Sequence, residues 1–328
     1  MFVEAIEAIL DDQYTPSVIR EVEGGASPAP LWRAISESGF LELLTPEDKG
    51  GAGLTLDAVF PVIVCLGRHA VPVPVAQSIF TRALLAPLDI PIPDGMITFA
   101  STYKTACDGA SESALTPYGL VADVVLVERE GDLLVLSCRN ATRVATGVHS
   151  SQCATLRWEG NAEPSARISG AGHGLHACAA AVHAALLAGA MSRVLEMSLQ
   201  YANDRSQFGK PIGKFQAIQQ QLAVMAEQVA AANIAAELGF SREGGLPDVL
   251  RAALAKARTS EAVTPIVATA HALHGAIGVT EEYDLQLFTR RLHEWRMAHG
   301  SEHYWNGVIG HALLDSGLAM GDFVREAV

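Results

Sequence analysis

The apolar positions of this 328-residue chain change period twice, and the changes divide it into three predicted parts. From residue 1 to about 92 the spacing is helical. LWRAISESGFLELL places Leu31, Ile35, Phe40 and Leu44 roughly a turn apart, with a break predicted at Ser36-Glu37-Ser38-Gly39. TPEDKGGAGLTLD, holding Pro46, Gly50, Gly51 and Gly53, predicts a loop, and DAVFPVIVCLGRHA resumes as a mostly buried helix. Between 93 and 170 the pattern shortens. MITFAST, ADVVLVE, DLLVLSC and ATLRWEG are brief runs rich in Val, Leu, Ile and Thr, separated by CDGAS and EREGD. They predict a small antiparallel, barrel-like β module.

From 171 to 328 long helices return. HGLHACAAAVHAALLAGAMSRVLEMSLQYANDR is alanine-rich, with small residues at close-packing positions. After FGKPIG, residues Phe215, Ile218, Leu222, Met225 and Val229 recur at gaps of three and four, the seam of a bundled helix. PDVLRAALAKARTSEAVTPIVATAHALHG and YDLQLFTRRLHEWRM supply two more helices. The predicted class is α+β and multidomain: an N-terminal helical domain over 1–92, a middle β domain over 93–170 and a C-terminal four-helix bundle over 171–328. No GxGxxG follows a strand, so a Rossmann domain is unsupported.

A net charge of −13 argues against a broad nucleic-acid surface, while leaving room for a small polyanion on a local basic group. Cys65, Cys107, Cys138, Cys153 and Cys178 are scattered without CxxC spacing, which predicts buried thiols in a reducing compartment. The start, MFVEAIEAILDDQY, is acidic, and no run of 18 apolar residues occurs. A signal peptide and a membrane span are therefore not expected, and the predicted location is cytoplasmic.

Two stretches carry candidate chemistry. In YANDRSQFGKPIGKFQAIQQQLAVM a helix is expected to end near Phe208 and Gly209, with Pro211 opening the next. Arg205, Lys210 and Lys214 surround that turn. They suit either a phosphate or diphosphate site or the solvated tip of a helix hairpin. WRMAHGSEHYW, at 295–305, contains an HxxEH string. On a helix, His299 and His303 would share a face as zinc ligands with Glu302 as general base. A third ligand is hard to find there, and Gly300-Ser301 weakens such a helix. His173, His176 and His183 lie on the alanine-rich helix, where His176 and His183 share a face; packing polar residues are the simpler reading.

RSQFGKPIGKFQAIQQQLAVM, LHGAIGVTEEYDLQLFTRR and LLTPEDKGGAGLTLD resemble, in this order reversed for the last, segments of the acyl-CoA dehydrogenase family, and the resemblance extends along nearly the whole chain. It implies a helix–β–helix fold, FAD as cofactor and an acyl-CoA substrate oxidised to a 2-enoyl-CoA. In that chemistry a carboxylate takes the α-proton while the flavin receives the β-hydrogen as hydride. The resemblance also implies that Arg205 and Phe208 contact the FAD of a neighbouring subunit. Gln216, Gly275 and Ala276 fall at further positions lining that site, and Ser301 takes a threonine position.

The resemblance breaks where the chemistry lies. HGSEHY aligned with an EGTSEI-like segment puts His299 where the glutamate base belongs. The alternative base position, on the long helix before FGKPIG, is Ala179, and the adjoining arginine position is Ala180. The glycine-serine-aspartate segment and the tryptophan of the β module are missing, Thr102 being the retained flavin-contact candidate, and the glutamine before the HGGIG-like motif is Ala272. This pattern resembles the shorter, degenerate subunits of heteromeric acyl-CoA dehydrogenases of bacterial steroid degradation. It implies a homologous partner subunit that supplies the base. A scaffold that only stabilises its partner, and His299 as a substitute base, are the alternatives.

Overall fold

The computed structural model describes residues 2–88, 90–241 and 245–327; the side chain of His173 lies outside the described set. Helices α1 (Phe2–Gln13), α2 (Pro16–Glu23), α3 (Ala29–Ser36), α4 (Leu56–Arg68) and α5 (Val75–Leu85) form the first part. The predicted break falls in place: α3 stops at Ser36, and Gly39 turns the chain at φ 81°. The glycine-rich loop contains only one tight turn, Glu47–Lys49, and folds back so that Gly53 N–H donates to the carbonyl of Thr45.

The β module contains β1 (Ile97–Ala100), β2 (Lys104–Thr105), β3 (Ser111–Thr116), β4 (Val124–Arg129), β5 (Asp132–Ser137), β6 (Thr142–Ala145), β7 (Ala154–Trp158) and β8 (Ala166–Ile168). It corrects two expectations. The strands form two separate four-stranded sheets, ordered β1-β4-β5-β8 and β2-β3-β7-β6, with no closed barrel, and β1 pairs with β4 in parallel. The reason lies in burial. Val125, Val127, Leu134 and Leu136 of the first sheet pack against Ala154, Leu156 and Trp158 of the second. Its alternate residues, including Phe99, Leu126, Leu133 and Val135, join the main helical core. A sheet buried on both faces is apolar at every position, so its strands read as continuous runs, and a layer between two others has no occasion to close.

The third part is built on α6 (Leu175–Asp204), a 30-residue helix whose residues are largely buried. A short hairpin of β9 (Ser206–Gln207) and β10 (Lys210–Pro211) leads to α7 (Gln216–Leu238), then α8 (Val249–His274), α9 (Leu285–Met297), α10 (Glu302–Ser316) and α11 (Met320–Ala327). Helix α7 packs on α6 and α8 with Leu222, Met225 and Val229 buried, while Phe215 and Ile218 are half-buried. The fourth bundle helix, α9, lies against α6 and α8, and α10 adds a further helix along α8. Helices α6 and α8 are long and apolar enough to cross a bilayer by composition alone. In the fold, α6 is the central core helix.

Close contact between α4 and α6 depends on glycine. A β-carbon on Gly189 would sit 2.0 Å from the carbonyl oxygen of Val64, and one on Gly67 would sit 2.2 Å from that of Leu186. Backbone therefore meets backbone at this crossing.

Candidate functional site

The His299 segment is a turn, not a helix. Helix α9 ends at Met297, His299 and Gly300 take φ values of 54° and 96°, and α10 begins at Glu302. Gly300 is required there: a β-carbon would lie 2.7 Å from Tyr304 and 2.8 Å from the indole of Trp305. This geometry removes the zinc reading. His299 and His303 do not share a helical face, His303 is exposed, and Glu302 is held by Arg296 through Nε–Oε2 at 3.0 Å. That hydrogen bond draws the Glu302 carboxyl below its usual range.

Several groups fix the turn. The His299 carbonyl accepts from Trp305 Nε1 and from His176 Nε2, each at 2.9 Å. Lys256, fully buried on α8, donates to Ser260 Oγ at 2.9 Å, the Arg296 carbonyl at 2.7 Å and the Gly300 carbonyl at 3.0 Å. The His299 ring meets Ser101 Oγ through Nδ1 at 2.5 Å and packs on His183 at 4.7 Å between centroids. Its Nε2 is buried without a partner. His176 and His183, which the sequence offered only as packing residues on one face, thus converge on His299.

The electrostatics of this cluster disfavour protonation. Burial holds the His299 imidazole well below its ordinary value, and His183, His176 and Lys256 push it the same way. Burial likewise takes His183 down to about 3 and Lys256 to about 7. A proton on His299 would place a second cation near a buried ammonium in a dry pocket. His299 is a neutral hydrogen-bonding ring, and a poor proton acceptor.

Two cavities meet at this residue. The smaller, about 40 Å³, is lined by Ser101, Glu128, His176, Ala179 and His299. The two positions at which a base was sought, 179 and 299, therefore face one space. The larger, about 470 Å³, opens between the β module and the end of α9. Its walls include Thr102, Leu115, Pro117, Val148, Met297 and Ala298, with Glu294 and His293 from α9. Thr102 Oγ1 is engaged with the backbone of Ala114, at 3.2 Å to both N and O. Ser101, Lys256 and Glu294 were not singled out from the sequence. Lys256 left a signal: it lies on the helical face of α8 otherwise made of Ala252, Ala253, Thr259, Ser260 and Val263, all buried.

The remaining predicted residues collect elsewhere. The helix before FGKPIG ends at Asp204, four residues earlier than expected, and Phe208 and Gly209 at φ 53° and 80° form the two-residue turn of the β9–β10 hairpin. Pro211 belongs to β10 and does not open α7, which starts at Gln216. Arg205 is exposed, and none of Arg205, Lys210 and Lys214 has an acidic partner among the described residues; Lys210 lies over the Phe215 ring at 4.4 Å. Phe208 is 91% exposed. Tyr201, one turn before Arg205, stacks on His274 at 4.3 Å and donates to its carbonyl at 3.3 Å. This joins the hairpin to the exposed Gly275-Ala276 turn at one end of the bundle.

Ser301 is not part of that group; it precedes α10 beside His299. Between His183 and Arg205 run 22 residues of nearly continuous helix, about 33 Å at 1.5 Å per residue. The His299 cluster and the hairpin are thus two separate groups of candidate residues along α6.

Comparison with known proteins bears on the family and the fold. The acyl-CoA dehydrogenase N-terminal domain matches residues 1–89 and the acyl-CoA dehydrogenase C-terminal domain matches residues 177–314. The acyl-CoA dehydrogenase IpdE2 of Mycobacterium tuberculosis is 31% identical over 303 residues, covering 89% of this chain and 90% of that protein. The ChsE4–ChsE5 complex from Mycobacterium tuberculosis superposes with a TM-score of 0.82 at 22% identity, covering 95% of this chain and 96% of the matched one. A Tcur3481–Tcur3483 steroid ACAD variant gives 0.83 at 24% identity, over 95% and 96%. On this sequence and structural evidence, the chain belongs to the acyl-CoA dehydrogenase family.

Proposed function

We propose that this chain is a subunit of an FAD-dependent acyl-CoA dehydrogenase, lending Arg205 and Phe208 to the FAD of a neighbouring subunit and leaving proton abstraction to a carboxylate of that neighbour. One observation carries the reading: Arg205 at the hairpin lies about 33 Å along α6 from His183, whose ring packs on His299, and this separation supports a hairpin that serves a site outside its own chain. The hairpin's residues fit the cofactor. Arg205, with no acidic competitor among the described residues, is free to donate to a diphosphate, and Lys210 and Lys214 add positive charge in an acidic protein. Phe208 offers an exposed ring, and Gln216, Gly275 and Ala276 are exposed as well. Ser301 would meet a flavin only at the His299 cluster. When bound, FAD supplies the hydride acceptor.

Oligomerisation is supported by α7. Its outward face exposes Val224 at 56% and Ile234 at 70%, together with Ala217, Ala223 and Ala230. Glu227 and Glu237 are the only charged residues on that helix. An outward face with so little charge suits cover by another subunit. The neutral His299 supports a partner that holds the base, and the pairing of two proteins in ChsE4–ChsE5 and in Tcur3481–Tcur3483 favours a homologous second subunit as the neighbour, in a cytoplasmic heterotetramer. The same neutral His299 also suits a pure scaffold, which would leave flavin binding to its partner.

Expression of the chain alone and together with a homologous acyl-CoA dehydrogenase subunit tests the proposal. The expected result is flavin absorbance and acyl-CoA oxidation only in the copurified complex. Full flavin content and turnover in the isolated chain would contradict it and restore His299 as the base.

A further inference from the structure

Beside the larger cavity stands a buried charge whose hydrogen-bonding capacity the protein leaves unused. Glu294, on α9, has a side chain only 8% exposed, and lines the cavity with His293 and Met297 of the same helix. Its Oε1 lies 3.6 Å from Arg291 Nη1, its Oε2 is buried without a partner, and neither oxygen accepts a hydrogen bond among the described residues. An ionised carboxylate offers about four acceptor positions, and groups buried this deeply are nearly always bonded. The charge itself is balanced: Arg291 pairs with Glu294 on one side and with Glu23 on the other, where Nη2–Oε1 is 3.0 Å.

The surrounding cavity sets the chemistry of the occupant. Of its other polar groups, Ser101 is bonded to His299 and Thr102 to Ala114, while His299 Nε2 is a second buried atom without a partner and His293 adds a further ring to the wall. Leu115, Pro117, Val148, Met297 and Ala298 provide apolar walls. Leu115 and His299 both hold left-handed backbone, at φ 49° and 54°, a strain that concentrates at ligand sites. An anionic group beside Glu294 would be repelled. A cation would duplicate the role of Arg291 and would have to be desolvated. A neutral donor meets the unfilled need without either penalty.

We propose that Glu294 is a specificity-determining residue, accepting a hydrogen bond from a hydroxyl on an otherwise apolar acyl group held in this cavity. The inference rests on the acyl-CoA reading above and deepens it by naming a group that the acyl chain carries.

Calorimetric titration of the full chain with cyclohexanecarbonyl-CoA and with its 3-hydroxy and 4-hydroxy derivatives tests the assignment. At least one hydroxy derivative is expected to bind about tenfold more tightly than the parent. In Glu294→Gln, which keeps the shape but loses the charge, that preference for the hydroxy derivative over the parent should shrink to less than about threefold. Glu294→Leu should abolish it; circular dichroism of both variants verifies folding. Parent binding with no hydroxyl preference, or a preference that survives in Glu294→Gln, overturns the role of Glu294 alone. Failure of all three thioesters to bind overturns that role together with acyl occupancy of this cavity. Flavin retention by the copurified complex reports separately on Arg205.

Discussion

A buried ammonium that gives all three protons to acceptors in two separate elements is an anchor, and Lys256 does this for the turn that carries His299. It joins Ser260 on its own helix to the carbonyls of Arg296 and Gly300. Burial lowers its pKa from 10.5 to about 7, so the native state releases this proton near neutrality while the unfolded chain keeps it to about 10.5. The contribution to stability is complete above pH 10.5 and is lost as pH falls toward 7. Between pH 7 and 9 the stability of the protein should therefore rise relative to Lys256→Met by about 2–3 kcal/mol, at 1.36 kcal/mol per unit. Urea unfolding of both proteins at several pH values measures this difference; a difference independent of pH contradicts it. The sequence held a clue to Lys256 in its helical phase, but no clue to its two backbone acceptors, at Arg296 in α9 and Gly300 in the turn after it, 40 and 44 residues downstream.

Elements pack in this protein as closely as their backbones permit, and the α4–α6 crossing shows what that requires. Gly189→Ala would drive a methyl into the Val64 carbonyl, which only separation of the helices relieves. It should destabilise the protein by about 1–3 kcal/mol. Gly307→Ala, on an exposed part of α10 with no atom within 4 Å, should instead stabilise it by up to about 1 kcal/mol through helix propensity. Denaturation midpoints of the two variants decide between these opposite signs. Legibility also differs by element. The small residues of α6 announced close packing, and the Ser36–Gly39 break was visible because glycine follows a helical run. The end of α6 was misplaced because Ser206 and Gln207 look helical locally, yet pair across the Phe208-Gly209 turn with Lys210 and Pro211. The β module read as antiparallel and barrel-like because continuous apolar runs do not reveal that one sheet is shared between two cores.

At the scale of the whole molecule, the chain keeps the arrangement of its family, with His299 and Ala179 at the two positions where a base was sought. Motifs at RSQFGKPIG and LHGAIGVTEE made the family readable, since they form the bundle end that includes the hairpin. The cluster of His176, His183, His299, Ser101 and Lys256 was largely hidden, because it draws single residues from β1's exit, α6, α8 and a turn, with no common spacing. The missing carboxylates at 179 and 299 were readable; that both positions face one cavity was not.

The central claim is that Arg205 serves a flavin belonging to a neighbouring subunit. Its most direct test is the flavin-to-protein ratio of the complex copurified with the homologous subunit, measured for the native chain and for Arg205→Ala after gel filtration. Loss of a charge-assisted contact of about 1.5–3 kcal/mol predicts flavin binding weakened by about tenfold to a hundredfold, with the complex still assembled. An intact complex that retains its full flavin in Arg205→Ala would contradict the account.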